Sequence, residues 1–450
     1  MIRDLSVRAA PANGTNALAT AGFVLYCVYL LSGFANDWSM MLFGRKAYLS
    51  TFSLVLLPVV WLLSGNAARG LRHGIGLWWV AFLLWLLLAT PFSVWRGGSA
   101  RMLLNFVPKS YLCFFYTCSF VTSLRRCRCL MYVNAVGAAL LLLTCLSFGD
   151  AGADLAGERL RIPGSLFYAN ANDLALTLLL GMTAFLFLFF SKGILAKIVA
   201  SSGILLSTVY ALKTGSRGCL VAGLAVLGMI FLLSRNKFKV AFFALPILGL
   251  ALFVLPPSTL HRLSLLLATS ETAMNESTSD QASLASEFQR QGLLMKSLDY
   301  TLAHPLFGVG PDQFATAVFG ESSKEGEHVP WLGTHNTYTQ VSSECGIPAL
   351  IFYCGPIVLC FRLNYRLYKR TRNDPAYREM AGLSLCLLSA TLIYALSTFF
   401  FHIAYGMSLP ALAGFSVALH FVSRSLLDGV PNAVQNAYRT ATARKQLSTA

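Results

Sequence analysis

Residues 362–379 read RLNYRLYKRTRNDPAYRE, and residues 380–401 continue MAGLSLCLLSATLIYALSTFFF. The first stretch holds six basic side chains, Arg362, Arg366, Lys369, Arg370, Arg372 and Arg378. The second holds no charged residue at all. A run of roughly 20 mostly apolar residues is what an α-helix needs to cross the hydrocarbon of a bilayer. A basic loop at its mouth marks the side on which cytoplasmic loops gather Lys and Arg. This one passage therefore predicts a helix that crosses a membrane, and it orients that helix.

The same signature recurs along the chain. Of 450 residues, 56% are hydrophobic and 12% charged, against about 25% charged in a soluble domain. Spans are predicted near 17–35, 47–64, 75–92, 103–122, 130–148, 172–190, 194–212, 218–234, 239–256, 338–361, 380–401 and 407–423. The fold class is thus an all-α polytopic membrane protein with about twelve transmembrane helices. The first span reads as a signal anchor rather than a cleaved signal peptide. The formal net charge of +16 then reports orientation rather than a nucleic-acid partner. With both termini in the cytoplasm, 22 of the 35 Lys and Arg fall in cytoplasmic segments.

The division that follows is 1–255 as spans one to nine, 256–337 as a large extracytoplasmic loop, 338–423 as the last three spans and 424–450 as a cytoplasmic tail. The large loop holds nine acidic and four basic residues. Within it Leu284, Phe288, Met295, Leu298 and Leu302 recur at helical spacing, which predicts an amphipathic helix ending before Pro305. Its apolar stripe is expected to pack on the membrane domain. The eleven cysteines lie mostly in apolar runs, as small hydrophobes do. Cys219 and Cys345 stand near outer helix ends and are read as two unpaired thiols.

Four polar stretches fall on the outer side. They are Arg161 to Asp173, the turn Lys213-Thr-Gly-Ser-Arg217-Gly, Arg290 with Ala303-His-Pro-Leu-Phe-Gly-Val-Gly-Pro-Asp-Gln-Phe, and Thr334-His335-Asn336-Thr-Tyr338 running to Glu344-Cys-Gly346. Arginines there run against the charge bias. A guanidinium stays charged when partly buried and offers a fork of donors matched to phosphate. Arg161, Arg217 and Arg290 are therefore candidates to hold a diphosphate at the membrane surface. A simple snorkelling or ion-paired role competes for each, least for Arg217, which has no acidic neighbour in sequence.

His335 is placed to accept a proton near neutral pH, with a helix-capping histidine as the competing reading. Glu344 is a second candidate base, because a carboxylate in a span is costly without a site or partner. His304, His328, His335 and Asp312 match no metal-ligand spacing, so no metal or cofactor is expected. Gly308-Val-Gly310 is read as a turn and not as a phosphate loop, since no Gly-Lys-Ser/Thr follows.

In the same order, these pieces resemble the O-antigen ligase and polymerase superfamily of bacterial envelope proteins, over about residues 150–360. The resemblance rests on the Arg161–Asn172 stretch, Thr214-Gly-Ser-Arg217-Gly, Arg290 with His304-Pro-Leu-Phe-Gly-Val-Gly310, and His335-Asn336 through Glu344-Cys-Gly346-Ile. Pro311-Asp312 departs from the small residue common after that turn. The resemblance implies a glycosyltransferase of the C-type helical architecture in the bacterial inner membrane. Such an enzyme moves a glycan from a polyprenyl-diphosphate carrier to a hydroxyl on the outer face. For a ligase the acceptor is the lipid A core, and ligases are taken as inverting and metal-independent; for a polymerase it is another carrier-linked repeat. Carried over by position, Arg217 and Arg290 bind the diphosphate and His335 is catalytic, while Arg161 and Glu344 match less closely. Asn172, Asn336 and Tyr338 are assigned to substrate binding. A twelve-helix transporter or flippase is the competing class, although its polar residues would be expected near the bilayer midplane.

Overall fold

The computed structural model of the chain describes residues 17–150, 153–154, 157–191, 193–238, 240–242, 245, 249, 278–324 and 332–428. The described part is helical apart from a two-residue hairpin, β1 (Ala153–Asp154) with β2 (Gly157–Glu158). In chain order the main helices are α1 (Ala17–Phe43), α2 (Leu49–Leu63), α3 (Gly74–Ala89), α4 (Arg96–Phe106), α5 (Cys113–Phe120), α6 (Leu124–Phe148) and α7 (Ala171–Leu188). They continue with α8 (Ile194–Lys213), α9 (Arg217–Leu233), α10 (Thr278–Ala303), α11 (Phe314–Lys324), α12 (Thr337–Thr371), α13 (Arg378–Ser397) and α14 (Ser408–Asp428).

Eight stretches among the described residues are long and apolar enough to span a membrane: α1, Gly74–Phe92, α6, α7, α8, α12, Pro375–Ser397 and Ser408–Leu427. Helices α2 and α9 are apolar but shorter. The ninth expected span, 239–256, lies mostly outside the described residues, as do the N-terminal 16 residues and the tail beyond 428. The span expected at 103–122 takes a different form. It is α4 and α5 joined by a π-helical turn, Val107–Tyr111, that contains Pro108. Proline has no N–H to give to the helix ladder and its ring crowds the preceding turn, so one straight helix is replaced by two short ones. All eight residues of α5 are buried.

Helix α13 lies at the centre, packed against α7, α9, α12 and α14. Its residues Met380 to Ile393 are nearly all buried. Large aromatic side chains fill the space beside it. Trp79 stacks between Phe82 and Tyr111, and Tyr353 on α12 shares a 2.6 Å hydrogen bond with Tyr394 on α13. All eleven cysteines are free thiols, as expected for small side chains embedded in helix contacts.

The loops sort into two ends. At one end the basic segments meet. Arg69 donates to the carbonyls of Cys118 and Val121, Arg126 to those of Phe120 and Ala19, and Arg372 to that of Leu233. Arg128 pairs with Glu379 at 2.7 Å. Apart from that of Ala19, these carbonyls lie at or just past helix C-termini, where the helix dipole favours positive charge. The four polar stretches meet at the other end.

Helix α10 forms over the stretch expected and ends before Pro305, but its exposure differs from the expectation. Met295 and Leu302 are 59% and 76% exposed, and Leu298 is exposed as well; the side chains of Leu284 and Phe288 lie outside the described residues. The packed face is instead Ser297, Tyr300 and Thr301. Thr301 shares a 2.8 Å hydrogen bond with Ser342 of α12. Small hydroxylated side chains allow the two backbones a close approach that Met and Leu would prevent.

Candidate functional site

The site is organised around a break in α12. Gly346 has φ 83° and ψ 173°, so the helix stops after Cys345 and restarts. At such a stop the last carbonyls lose their i+4 donors and need others. The loop after α10 supplies them. Val309 N–H donates to the Ser343 carbonyl at 2.9 Å and Gly310 N–H to that of Glu344 at 2.8 Å. The Trp85 indole N–H donates to the Cys345 carbonyl at 3.0 Å. In return Ile347 N–H donates to the Pro305 carbonyl at 2.8 Å.

This geometry explains the glycines. Gly308 and Gly310 also have positive φ. A Cβ on Gly308 would collide with the Glu344 backbone, and one on Gly346 with the Leu306 carbonyl. The Gly-Val-Gly segment is therefore a turn, as expected. Two of its N–H groups are committed to a helix end and are not offered to an anion.

Glu344 lies just before the break, 3% exposed. Its Oε2 accepts from Tyr405 Oη at 2.6 Å and from Asp312 N–H at 2.9 Å, and the carboxyl also takes the Phe314 N–H. Asp312 and Phe314 stand at the start of α11, so Glu344 supplies that helix N-terminus with an acceptor from across the site. Burial raises the carboxyl pKa of Asp312 beside it.

His335 precedes α12 in a left-handed conformation, φ 52°, uncommon for any residue but glycine. Its ring meets that of His402 edge to face, with centroids 5.1 Å apart. Burial first, then His402, then Arg290 lower its pKa to about 4, and burial lowers that of His402. Both rings are therefore neutral at physiological pH. Arg290 thus lies in electrostatic reach of His335, although the two are 45 positions apart in sequence.

Asn336 caps α12, its Oδ1 accepting from Tyr338 N–H at 2.9 Å and Thr339 N–H at 3.2 Å. Tyr338 donates its hydroxyl to the Ala395 carbonyl at 2.7 Å. Arg217 opens α9 and is half-buried. Its neighbour Gly218 lies directly under the ring of Phe400, and Cys219 approaches Ser397. Arg161 pairs through its backbone with Asp150. Arg159 is the arginine that reaches Asn172, donating to its Oδ1 at 2.9 Å and to the Thr214 carbonyl at 2.8 Å.

Two groups result. Arg159, Asn172 and the 213–217 turn form one, and Arg290, His335 and His402 the other. The segment joining α13 to α14, residues 398–407, connects them and was missed in sequence. Thr337 Oγ1 donates to the Phe401 carbonyl at 2.6 Å, and Ala404 N–H donates to Gln340 Oε1 at 3.1 Å. In sequence these residues read as the end of one span and the start of the next. The polar signal available was His402 within Phe-Phe-Phe-His-Ile-Ala-Tyr-Gly.

A cleft of about 610 Å³ opens beside these groups, with Glu344, His402, Tyr405, Gln340 and Asp312 on one wall and Arg101, Asn105 and Lys109 of α4 and its π turn on another. No cluster of three or more His, Cys, Asp or Glu side chains with metal-binding geometry occurs among the described residues.

Fold and site together define a polytopic helical membrane protein with a polar, histidine- and arginine-bearing site at one end of its bundle. Residues 202–354, about a third of the chain, match the family Wzy_C, described as O-antigen ligase. The match agrees with the resemblance read from its motifs. Arg217, Arg290, His335, Asn336, Tyr338 and Glu344 fall inside the matched stretch, while Arg161 and Asn172 precede it. No curated protein matches the chain.

Proposed function

We propose that the protein is a membrane glycosyltransferase of the O-antigen ligase type. It transfers a glycan from a polyprenyl-diphosphate carrier to an acceptor hydroxyl on lipid A core, on the outer face of the bacterial inner membrane, with both termini in the cytoplasm. The observation that carries the reading is the approach of Arg290 to His335, both within the matched stretch, where His335 packs on His402. A cation for a leaving diphosphate beside a neutral base for an acceptor hydroxyl is the minimum this chemistry requires.

In the reaction the acceptor oxygen forms its bond to the anomeric carbon while the bond from that carbon to the diphosphate oxygen breaks. The hydroxyl proton passes to His335. The electron pair leaves with the diphosphate, whose growing charge is met by Arg290 and Arg217, with Arg161 alongside. Displacement from the opposite face inverts the anomeric centre. Fixed cations aimed at charge that develops in the transition state supply a large share of such catalysis. A diphosphate at Arg290 also offsets one of the charges that depress the basicity of His335. Asn172, Asn336 and Tyr338 border the sugar, and Glu344 is the alternative base.

The test is turnover of a polyprenyl-diphosphate-linked glycan by purified protein in nanodiscs. His335→Ala, Arg217→Ala and Arg290→Ala should each lower kcat by about 100- to 1,000-fold, the cost of losing one such donor or base. Near-normal turnover in folded His335→Ala and Arg217→Ala proteins would overturn the assignment. EDTA should leave the rate unchanged, and inhibition reversed by a divalent ion would reject the metal-independent route. A polymerase of the same superfamily is separated in a deletion strain. Single repeats on the acceptor mean polymerase, whereas intact chains left on the carrier mean ligase.

A further inference from the structure

The cleft presents cations that the diphosphate reading does not use. Helix α4 buries Gly98, Ser99, Met102, Leu103 and Phe106. On its other face Arg101, Asn105 and Lys109 are exposed and line the cleft. Residues 101 and 109 are about 12 Å apart along the axis at 1.5 Å per residue. Asn105 joins them, donating to the Arg101 carbonyl at 2.9 Å and accepting from Lys109 Nζ at 2.8 Å. The Arg101 guanidinium has no hydrogen-bond or acidic partner among the described residues. Neither Arg217 nor Arg290 lines this cleft, whereas His402 and Glu344 do.

The placement of α4 is also fixed by the site rather than by the bundle alone. Ser99 Oγ donates to the Pro311 carbonyl at 2.8 Å, and Val94 N–H to that of Val309 at 2.9 Å. Helix α4 is thus held by its buried face against the same loop that closes the break in α12, which leaves its cationic face to the cleft. A two-substrate transferase needs a second approach to its site, and this cleft reaches His402, whose ring packs on that of His335, with neither diphosphate arginine in its lining.

We propose that Arg101 and Lys109 form a second anion subsite, which takes a phosphate group on the glycan of the acceptor. This rests on the transferase reading and names the acceptor's chemistry at the same site. The cations engage phosphate oxygens as fixed charges and set how deep the acceptor enters. Its hydroxyl is thereby presented at the His402 end. They do not touch the reacting atoms, so their loss is expected in acceptor affinity and not in the chemical step.

The experiment uses the full-length protein in nanodiscs, with the double variant Arg101→Gln/Lys109→Gln, a phosphorylated acceptor glycolipid and the same acceptor after phosphatase treatment. Wild-type protein should show an acceptor KM at least tenfold lower for the phosphorylated form. The double variant should lose that preference, with kcat and donor KM within about twofold of wild type. An equal effect of the variant on both acceptors, no effect on either, or a changed donor KM would overturn the subsite. The measurement is repeated in discs of phosphatidylcholine and of phosphatidylglycerol. A variant effect that appears only with the anionic lipid and ignores the acceptor's phosphate would assign the cations to lipid headgroups and overturn the proposal. If wild-type protein transfers no glycan at all, the transferase reading fails separately. Binding of a hexose phosphate by saturation-transfer NMR then decides the subsite: a signal lost in the double variant supports it, and equal signals overturn it.

Discussion

The two halves of α12 belong to one helix and behave as two different materials. From Gly346 onward, Ile347, Ile351, Val358 and Tyr365 are exposed and the helix ends among Lys369, Arg370 and Arg372. That is an anchor, apolar on its outward face and basic at its foot. Before Gly346, Thr337, Gln340, Ser342, Ser343, Glu344 and Cys345 are all buried, and other elements take up the freed carbonyls. The whole helix of 35 residues would run about 52 Å, well beyond a 30 Å hydrocarbon core. The difference teaches where polar groups become tolerable in such a bundle. They are tolerated where a break in the helix lets protein, not lipid, satisfy them.

Closing the break should have the largest effect. Gly346→Ala adds a Cβ against the Leu306 carbonyl at a backbone conformation L residues rarely adopt. The expected cost is about 2–4 kcal/mol, with transferase activity falling to the background of the His335→Ala protein. A melting curve and a turnover assay on the same sample check both. Wild-type values for both would mean that residues 337–345 of α12 do not depend on their join to the 304–313 loop.

Glu344 sharpens the comparison next. Glu344→Ala leaves Tyr405 Oη and the N–H groups of Asp312 and Phe314 without an acceptor in a buried place, each worth about 1–3 kcal/mol. Glu344→Gln keeps a carbonyl oxygen at this position but can no longer take up a proton. If Glu344 chiefly positions α11 and Tyr405, the Gln protein should keep more than about a tenth of wild-type turnover while the Ala protein falls about 100-fold. Equal loss in both variants would make Glu344 the base instead of His335.

The same contrast explains what was legible in sequence. The anchor half of α12 and the other long spans were visible because lipid imposes one composition over a fixed length. The basic end was visible because it is a property of local charge. Arg290 and His335 were read as parts of one site, but the packing that brings them near was not legible, since it runs through Ser297 and Thr301 of α10 rather than through its apolar stripe. The 398–407 segment was hidden because its contacts are mostly through backbone groups, which carry no residue signature. Glu344 stood out for its cost, yet its partners at 312, 314 and 405 follow only from the turn that brings α11 to it. The split of the 103–122 span could have been suspected from Pro108 and from the low apolarity of 96–105.

A pH profile tests the enclosed half from another direction. Burial, His402 and Arg290 lower the His335 pKa from 6.5 to about 4. The acid limb of kcat/KM, which reports the free enzyme, should therefore lie near pH 4. At pH 5.5 activity should exceed by about tenfold that expected of a histidine with an unperturbed pKa of about 6.5. The sign for stability runs with it. Between about pH 6.5 and 4 the unfolded chain binds a proton that the folded chain does not, so stability is full above 6.5 and falls as pH drops through that window. His335→Gln should flatten this part of the stability profile. An acid limb at 6.5 in wild-type protein would mean that the histidine pair is open to water.

Asn336→Ala should give the smallest effect, and it separates capping from substrate contact. The Oδ1 of Asn336 is committed to the N–H groups of Tyr338 and Thr339, so its loss should cost about 1 kcal/mol of stability. Asn336→Ser keeps a capping oxygen and removes the amide that faces away from the cap. If Asn336 also binds sugar, the Ser protein should melt like wild type but show a raised KM for one substrate. If capping is its whole role, stability and KM both return with Ser. The polar residues before Gly346 in α12 would then divide into those that hold its end and those that meet substrate.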